Sequence, residues 1–273
     1  MTESELIANN ATACAEAELI ADSVAFRFTQ FALSPISLKA RAGELTAIIG
    51  PNGSGKSTML EILSGHLKPK SGGVFLDGQN LHKLSPRERA RRVGLARQDT
   101  IMLFSFEVQE FVRQGRHPHL GNSLFESPED DRWVEWALEK TCLKEFAHRR
   151  VMEMSSGEFQ RAVLARTLAQ RPRLVLLDEP TANLDIGYQV EIFRLLRQLV
   201  RSENFVGIVV THELNLAAEM ADYVVLLHGG KCLCQGKPEE VFQADLLSRA
   251  FRTPVLVDKN PSSGRPRVTW VAP

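Results

Sequence analysis

The stretch Leu45-Thr46-Ala47-Ile48-Ile49-Gly50-Pro51-Asn52-Gly53-Ser54-Gly55-Lys56-Ser57-Thr58 decides the fold of this chain. Its first five residues are an apolar run that reads as a buried strand, and Gly50 opens a loop. After the loop, Met59, Leu60, Ile62 and Leu63 recur at helical spacing. Gly50 to Ser57 therefore satisfies the pattern G-x-x-x-x-G-K-[ST] in its required place, after a strand and before a helix. The glycines permit tight turns that aim backbone N–H groups at phosphate oxygens, and the helix N-terminus adds partial positive charge. Lys56 is placed to reach the β- and γ-phosphates, the Ser57 hydroxyl to ligate Mg²⁺, and Thr58 to add a hydroxyl toward the α-phosphate.

Working outward, the runs Leu174–Leu177, Val206–Val210 and Tyr223–Leu227 read as further buried strands. Helical patterns such as Val190, Phe193, Leu196 and Val200 lie between them. Strands alternating with helices predict an α/β fold with a mostly parallel core sheet, and with the phosphate loop at its centre this resembles a P-loop NTPase. Val24–Phe28, Pro35–Leu38 and Val74–Leu76 have strand character without helices between them, which predicts a small antiparallel β subdomain. Residues from about 100 to 170 are mainly helical and read as an inserted helical subdomain. Ser85-Pro86-Arg87-Glu88 and Ser127-Pro128-Glu129-Asp130 carry helix starts: Ser as N-cap, Pro in the first turn and an acid reaching back.

Bulk composition removes several function classes. The 273 residues balance to a formal net charge of zero, so a chain built for nucleic acid or anionic lipid is not indicated. The basic run Arg87-Glu88-Arg89-Ala90-Arg91-Arg92 lacks interleaved aromatics and reads as a solvated helix face. The 4 cysteines, Cys14, Cys142, Cys232 and Cys234, are too scattered for a disulfide framework and suit a reducing compartment. No apolar run approaches the ~18–20 residues of a membrane span. The N-terminal stretch holds Glu3, Glu5, Glu16, Glu18 and Asp22 without Lys or Arg, unlike a secretory signal. Residues 1–18 read as a flexible acidic tail and 19–273 as one domain with lobes.

The second informative site is Leu174-Val175-Leu176-Leu177-Asp178-Glu179, where an apolar strand exits into two acids. Packing alone does not call for adjacent carboxylates there. Asp178 suits a metal ligand and Glu179 a general base that polarises an attacking water. Just upstream, Met154-Ser155-Ser156-Gly157-Glu158-Phe159-Gln160-Arg161 opens a helix that continues through Val163, Leu164 and Leu168.

With the phosphate loop and the acidic pair, that segment resembles the signature of ABC-type ATPases. The family's usual form is Leu-Ser-Gly-Gly-Gln/Glu. Ser155, Gly157 and Glu158 fit it, whereas Met154 replaces Leu and Ser156 replaces the first Gly. The resemblance spans most of the chain, from about Leu19 to Val271, and implies ATP and Mg²⁺ as ligands. It implies that Gln98 senses the metal (and ligates it) and the attacking water. His212 would then contact the γ-phosphate, and Asp185, in Ala182-Asn183-Leu184-Asp185, would communicate across a dimer. It also implies an aromatic stacked on adenine, with Phe28 the candidate and Phe26 the alternative.

Within the family the chain is most similar to ATPase subunits of bacterial importers for iron-siderophore complexes, haem and cobalamin. Gly115-Arg116-His117-Pro118-His119, Leu184-Asp185-Ile186-Gly187-Tyr188-Gln189 and the tail Pro254–Val271 carry this finer resemblance. It implies a homodimer of ATPases at the cytoplasmic face of the membrane, below two membrane permease subunits fed by a solute-binding protein. The segment around Phe104–Gly115 would face the permeases. An exporter ATPase, or an importer for other solutes, shares the same motor. A non-transport ABC ATPase would carry long coiled coils or tandem cassettes, and this chain has neither.

Overall fold

The computed structural model describes residues 18–29, 31–97, 105–120 and 127–271. Its centre is a six-stranded sheet in the order β10-β9-β3-β8-β7-β6. The strands are β3 (Leu45–Ile49), β6 (Val93–Ala96), β7 (Leu174–Asp178), β8 (Val206–Val210), β9 (Tyr223–His228) and β10 (Lys231–Gly236). All neighbours pair in parallel except β10, which closes one edge antiparallel to β9. The apolar runs are continuous because both faces are covered. On one face Val175, Leu177, Val209, Val224 and Leu226 join a core with the helices of the second half. On the other, Leu174, Leu176, Ile208, Val210, Val225 and Leu227 pack with α1 (Lys56–Leu63) and the second sheet.

That second sheet is antiparallel, in the order β2-β1-β4-β5, as its helix-free sequence predicts. It comprises β1 (Glu18–Arg27), β2 (Ala32–Arg41), β4 (Ser71–Leu76) and β5 (Gln79–Asn80). Glu18, expected at the end of a loose tail, instead opens β1. Its amide donates to Asp77 Oδ1 at 3.2 Å and its carbonyl accepts from the Asp77 amide at 3.0 Å. The rest of the expected tail lies outside the described residues.

A helical layer fills the chain between β6 and β7. α2 (Pro86–Arg92) precedes β6, and α3 (Val108–Arg113), α4 (Pro128–Lys140) and α5 (Ser156–Ala169) follow it. The two Ser-Pro starts form capping boxes, Ser85 with Glu88 and Ser127 with Asp130. The long α6 (Ile186–Glu203) buries Ile192, Phe193, Leu196, Leu199 and Val200. Its approach to the sheet is close at Gly207, where a Cβ would lie 2.5 Å from Val200 Cγ2. α7 (Leu214–Met220), α8 (Pro238–Val241) and α9 (Ala244–Phe251) lead to a terminal hairpin, β11 (Val255–Lys259) and β12 (Pro266–Trp270).

A buried ion pair ties the start of α4 to the segment after α3. Arg116 Nε donates to Asp130 Oδ1 at 2.8 Å, and Arg116 Nη1 donates to the Ala169 carbonyl at 2.7 Å. Burial alone would raise the Asp130 pKa. The Ser127 amide, the Arg116 guanidinium and the Ser127 hydroxyl together outweigh it and lower the value from 3.8 to about 2. A carboxylate held below its unfolded value stabilises the fold above pH ~4, and that contribution fades as pH falls toward 2. Asp130→Asn should therefore be destabilised near neutral pH, with the gap to the parent closing between pH ~4 and 2 in urea titrations. A gap independent of pH would refute the carboxylate's role.

Candidate functional site

Parallel pairing places three functional turns side by side. Val210 at the end of β8 is opposite Ile48 of β3 on one side and Asp178 of β7 on the other. The chain after each strand then leaves from the same edge of the sheet: Gly50 after β3, Glu179 after β7, and Thr211-His212 after β8. The Glu179 amide donates to the Val210 carbonyl at 3.0 Å, and the Thr211 amide to the Ile48 carbonyl at 3.2 Å.

The phosphate loop turns tightly where glycine is required. Gly50 has φ +152°, and a Cβ there would lie 2.2 Å from the Leu227 carbonyl oxygen. Gly55, with φ +105°, is the N-cap of α1 and no side chain caps it. The first-turn amides of α1 thus face the cleft without a side-chain acceptor, leaving an N-terminus suited to an anion. Ser54 Oγ is buried and finds no hydrogen-bond partner among the described residues. The Ser54 backbone is fixed, its amide donating to Pro51 O at 3.2 Å and its carbonyl accepting from Gly230 N at 3.1 Å.

Lys56 is nearly buried, and its Nζ donates to the carbonyls of Gly50 at 2.9 Å and Pro51 at 3.2 Å. Burial pulls its pKa below the usual lysine value, while the charges of Glu179 and Asp178 pull it back up. Asp178 moves the other way: burial raises its pKa, and the neighbouring Glu179 adds to the rise. Glu179 is held at φ +47°, the left-handed region that non-glycine residues rarely occupy. Its Oε1 is in direct polar contact with His212 Nε2. Such strain at a cleft is a mark of a functional position.

Together Asn52, Gly53, Gly55, Lys56, Ser57, Thr58, Glu179 and His212 line a cleft of about 210 Å³, with Phe31 as its aromatic wall. Phe31 was not singled out by sequence reasoning, which looked inside the strand rather than after it. No local sequence signal separates it from Phe26 and Phe28; the fold brings it to the phosphate loop, where a Cβ on Gly55 would lie 2.9 Å from Phe31 Cζ. Phe28 sits at the exposed end of the first strand, its ring 4.6 Å from that of Phe26, and does not line this cleft. Gln98 lies outside the described residues.

The signature segment lies apart from this cleft. Ser155 and Ser156 are exposed, and none of Ser155, Ser156, Gly157 and Glu158 lines it. Ser155 caps α5 in a reciprocal box: the Glu158 amide donates to Ser155 Oγ at 3.3 Å, and the Ser155 amide to Glu158 Oε2 at 2.8 Å. The Ser155 amide, with its hydroxyl and the nearby Arg149 and Arg161, lowers the Glu158 pKa despite partial burial. Gly157 packs under the Tyr188 ring, 2.4 Å from where a Cβ would stand. Asp185 caps α6, accepting from the Tyr188 amide at 3.1 Å. Tyr188 therefore bridges the signature turn and the Asp185 turn.

Residues 33–182 match the ABC transporter family. The chain belongs to that family. A hemin import ATP-binding protein of Escherichia coli is 40% identical over 240 residues, covering 85% of this chain and 91% of the relative. A cobalamin import ATP-binding protein of Halobacterium salinarum is 37% identical over 237 residues, covering 87% of this chain and 59% of the relative. This ABC protein thus spans well under two thirds of that longer relative. Among solved structures, an inward-facing transporter described as of metal-chelate type superposes with a TM-score of 0.82 at 24% identity. The superposition covers 94% of this chain and 98% of that one, a likeness of fold. No helix among the described residues of this ABC protein is long and apolar enough to cross a membrane.

Removing the Ser155 hydroxyl leaves the Glu158 amide without its cap. Ser155→Ala should cost ~1 kcal/mol of stability, lowering the melting temperature by about 2–4 °C for a domain of this size. An unchanged melting temperature would show that the box contributes nothing.

Proposed function

We propose that this chain is the ATP-hydrolysing subunit of an importer for iron-siderophore complexes, haem or cobalamin. It acts as a homodimer on the cytoplasmic side of two membrane permeases fed by a solute-binding protein. One observation carries the ATPase reading: the uncapped N-terminus of α1 with Lys56 faces Glu179 and His212 across a single cleft. The cargo class rests on the hemin and cobalamin import relatives and on the sequence stretches resembling that subfamily.

In this reading the triphosphate lies along the Gly53–Thr58 amides. Lys56 exchanges a carbonyl partner for a phosphate oxygen, and its buried ammonium then meets a charge that offsets its desolvation. Phe31, Phe28 or Phe26 stacks on adenine, with Phe31 the one already in the cleft wall. Glu179 accepts a proton from the attacking water as its oxygen bonds to the γ-phosphorus and the bond to the β-phosphate oxygen breaks. His212 orients the Glu179 carboxylate through the contact of its Nε2 with Oε1 and can turn to the γ-phosphate. Gln98 completes the water's surroundings.

Mg²⁺ fits the donors present. Ser57 lines the cleft with a hydroxyl, and the Asp178 carboxyl at the strand end is a hard oxygen beside Glu179. Gln98 would be the third protein oxygen. Bound there, the ion would neutralise charge developing on the phosphates.

The position of the signature supports the dimer. Ser155–Glu158 do not reach their own chain's cleft, so they are assigned to the nucleotide of a second copy. Ser156, in the first turn of α5, adds a hydroxyl beside those amides. Asp185 communicates between copies through the turn it caps.

Glu179→Gln should lose at least about a hundredfold in turnover while ATP still binds, and nucleotide should then hold the dimer together in size-exclusion runs. Steady-state hydrolysis at the parent rate would remove Glu179 as the base. Lys56→Ala should weaken ATP affinity by at least about tenfold, read by titration calorimetry; unchanged affinity would undo the phosphate-loop assignment. Growth of a deletion strain on haem, siderophores or cobalamin as sole source tests the cargo class. Normal growth on all three would exclude it.

A further inference from the structure

A groove of about 460 Å³ lies on the opposite side of α6 from its buried stripe, lined by Arg194, Arg197, Gln198, Arg201, Glu219 and Met220. The spacing of three and four residues puts Arg194, Arg197 and Arg201 on one helix face. Such a row of like charges repels itself unless something neutralises it. Arg201 is neutralised, its Nη2 donating to Asp222 Oδ1 at 2.9 Å. Arg265, from the turn between β11 and β12, is spent on the carbonyls of Ala218 at 3.3 Å and Ala221 at 2.8 Å.

Arg194 and Arg197 have no ion pair among the described residues. Arg197 is the more telling of the two, because its Nε is buried and finds no hydrogen-bond acceptor among them. Burial and the neighbouring Arg201 both press on its charge; Asp222 and Glu219 only partly offset Arg201 and Arg265. The carboxylates are already engaged. Glu219 Oε2 accepts from Asn260 at 3.2 Å and from Ser263 Oγ at 2.6 Å, and Asp222 Oδ2 accepts from the Leu45 amide at 3.0 Å. A buried donor without an acceptor calls for one, and Arg194 beside it in the groove brings a second guanidinium.

We propose that this groove binds a phosphate ester, with Arg197 and Arg194 gripping the phosphate and the Gln198 amide donating to an ester or hydroxyl oxygen. Two guanidinium groups lining one groove favour a dianionic oxyanion with several acceptors over a lone carboxylate. At about 460 Å³ the groove has room for an organic part beside the phosphate. That part is either a free polyol phosphate or the headgroup of an anionic lipid. The groove is separate from the nucleotide cleft, with which it shares no lining residue.

The test uses the full chain with the nucleotide cleft filled, so that the phosphate loop does not compete. With ATP bound to the Glu179→Gln variant, glycerol 1-phosphate is titrated by calorimetry. Vesicles of phosphatidylglycerol and of phosphatidylcholine are offered in parallel sedimentation. Adding Arg194→Gln and Arg197→Gln together should weaken the response at least about tenfold, with ATP affinity and far-ultraviolet circular dichroism unchanged. Arg194→Glu, at an exposed position, should do the same if the double variant fails to fold. Saturable binding of glycerol 1-phosphate that these changes abolish assigns the free ester. Sedimentation with phosphatidylglycerol alone, abolished by the same changes, assigns the headgroup. No binding of either probe, or binding indifferent to both arginines, overturns the proposal.

Discussion

The pairing of Val210 with Ile48 on one side and Asp178 on the other is the constraint on which the rest depends. It is a backbone register, fixed by strands buried on both faces, and a slip of one residue would turn every side chain of the strand to the opposite face. Because the register is set deep in the core, three loops with different chemistry leave the sheet level with one another. Lys56, Glu179 and His212 are 33 residues or more apart in sequence, yet all line one cleft. The loops themselves contribute little to that alignment. Hydrogen bonds from Glu179 to Val210 and from Thr211 to Ile48 only extend a ladder already formed.

Much of this was legible in the sequence, for identifiable reasons. Leu45–Ile49, Leu174–Leu177 and Val206–Val210 are short, unbroken and apolar, which is how strands covered on both faces read. The phosphate loop carried its own context, a strand before and a helix after. The Ser-Pro helix starts at Ser85 and Ser127 were legible because capping is local, with donor and acceptor three residues apart. What was not legible was non-local. Phe31 lines the cleft because the turn between β1 and β2 folds over Gly55, and nothing in the local pattern distinguishes it from Phe26 or Phe28. The strand at Glu18 was hidden in an acidic stretch because what fixes it is non-local: Arg41 opposite it in β2, and Asp77, 59 residues away, which accepts from its amide. The packing of Tyr188 on Gly157 likewise joins two turns that the sequence presents as separate motifs.

Tyr188 gives that junction mechanical meaning. Ser155–Glu158 and Asp185 begin two helices, each start fixed by its own side-chain cap, and the tyrosine ring sits against Gly157 with no room for a Cβ. A displacement of the Asp185 turn cannot be absorbed at this contact, because packed interiors resist small gaps and overlaps alike. A nucleotide held against the signature would therefore be felt at the start of α6. For such coupling to shift a dimer between open and closed forms, ATP must bind one form more tightly than the other. Rigid caps serve that requirement, since a frayed helix start would dissipate the difference in local disorder.

The zero net charge of the whole chain conceals how unevenly charge is placed on α6. One face of the helix buries Phe193, Leu196 and Val200 against the sheet, and the amphipathic period that achieves this sends Arg194, Arg197 and Arg201 outward together. A solvated helix face normally intersperses acids at this spacing, which adds a few tenths of a kcal/mol per pair. Here the one acid of α6 at that spacing, Glu191, accepts from Arg161 Nη1 at 3.0 Å, and the acids from other elements are bound too: Asp222 to Arg201 and the Leu45 amide, Glu219 to Asn260 and Ser263. Composition averages over such arrangements and so cannot reveal them. A neutral total excludes a chain that is basic throughout, yet it leaves room for one local site where guanidinium groups outnumber the carboxylates free to meet them.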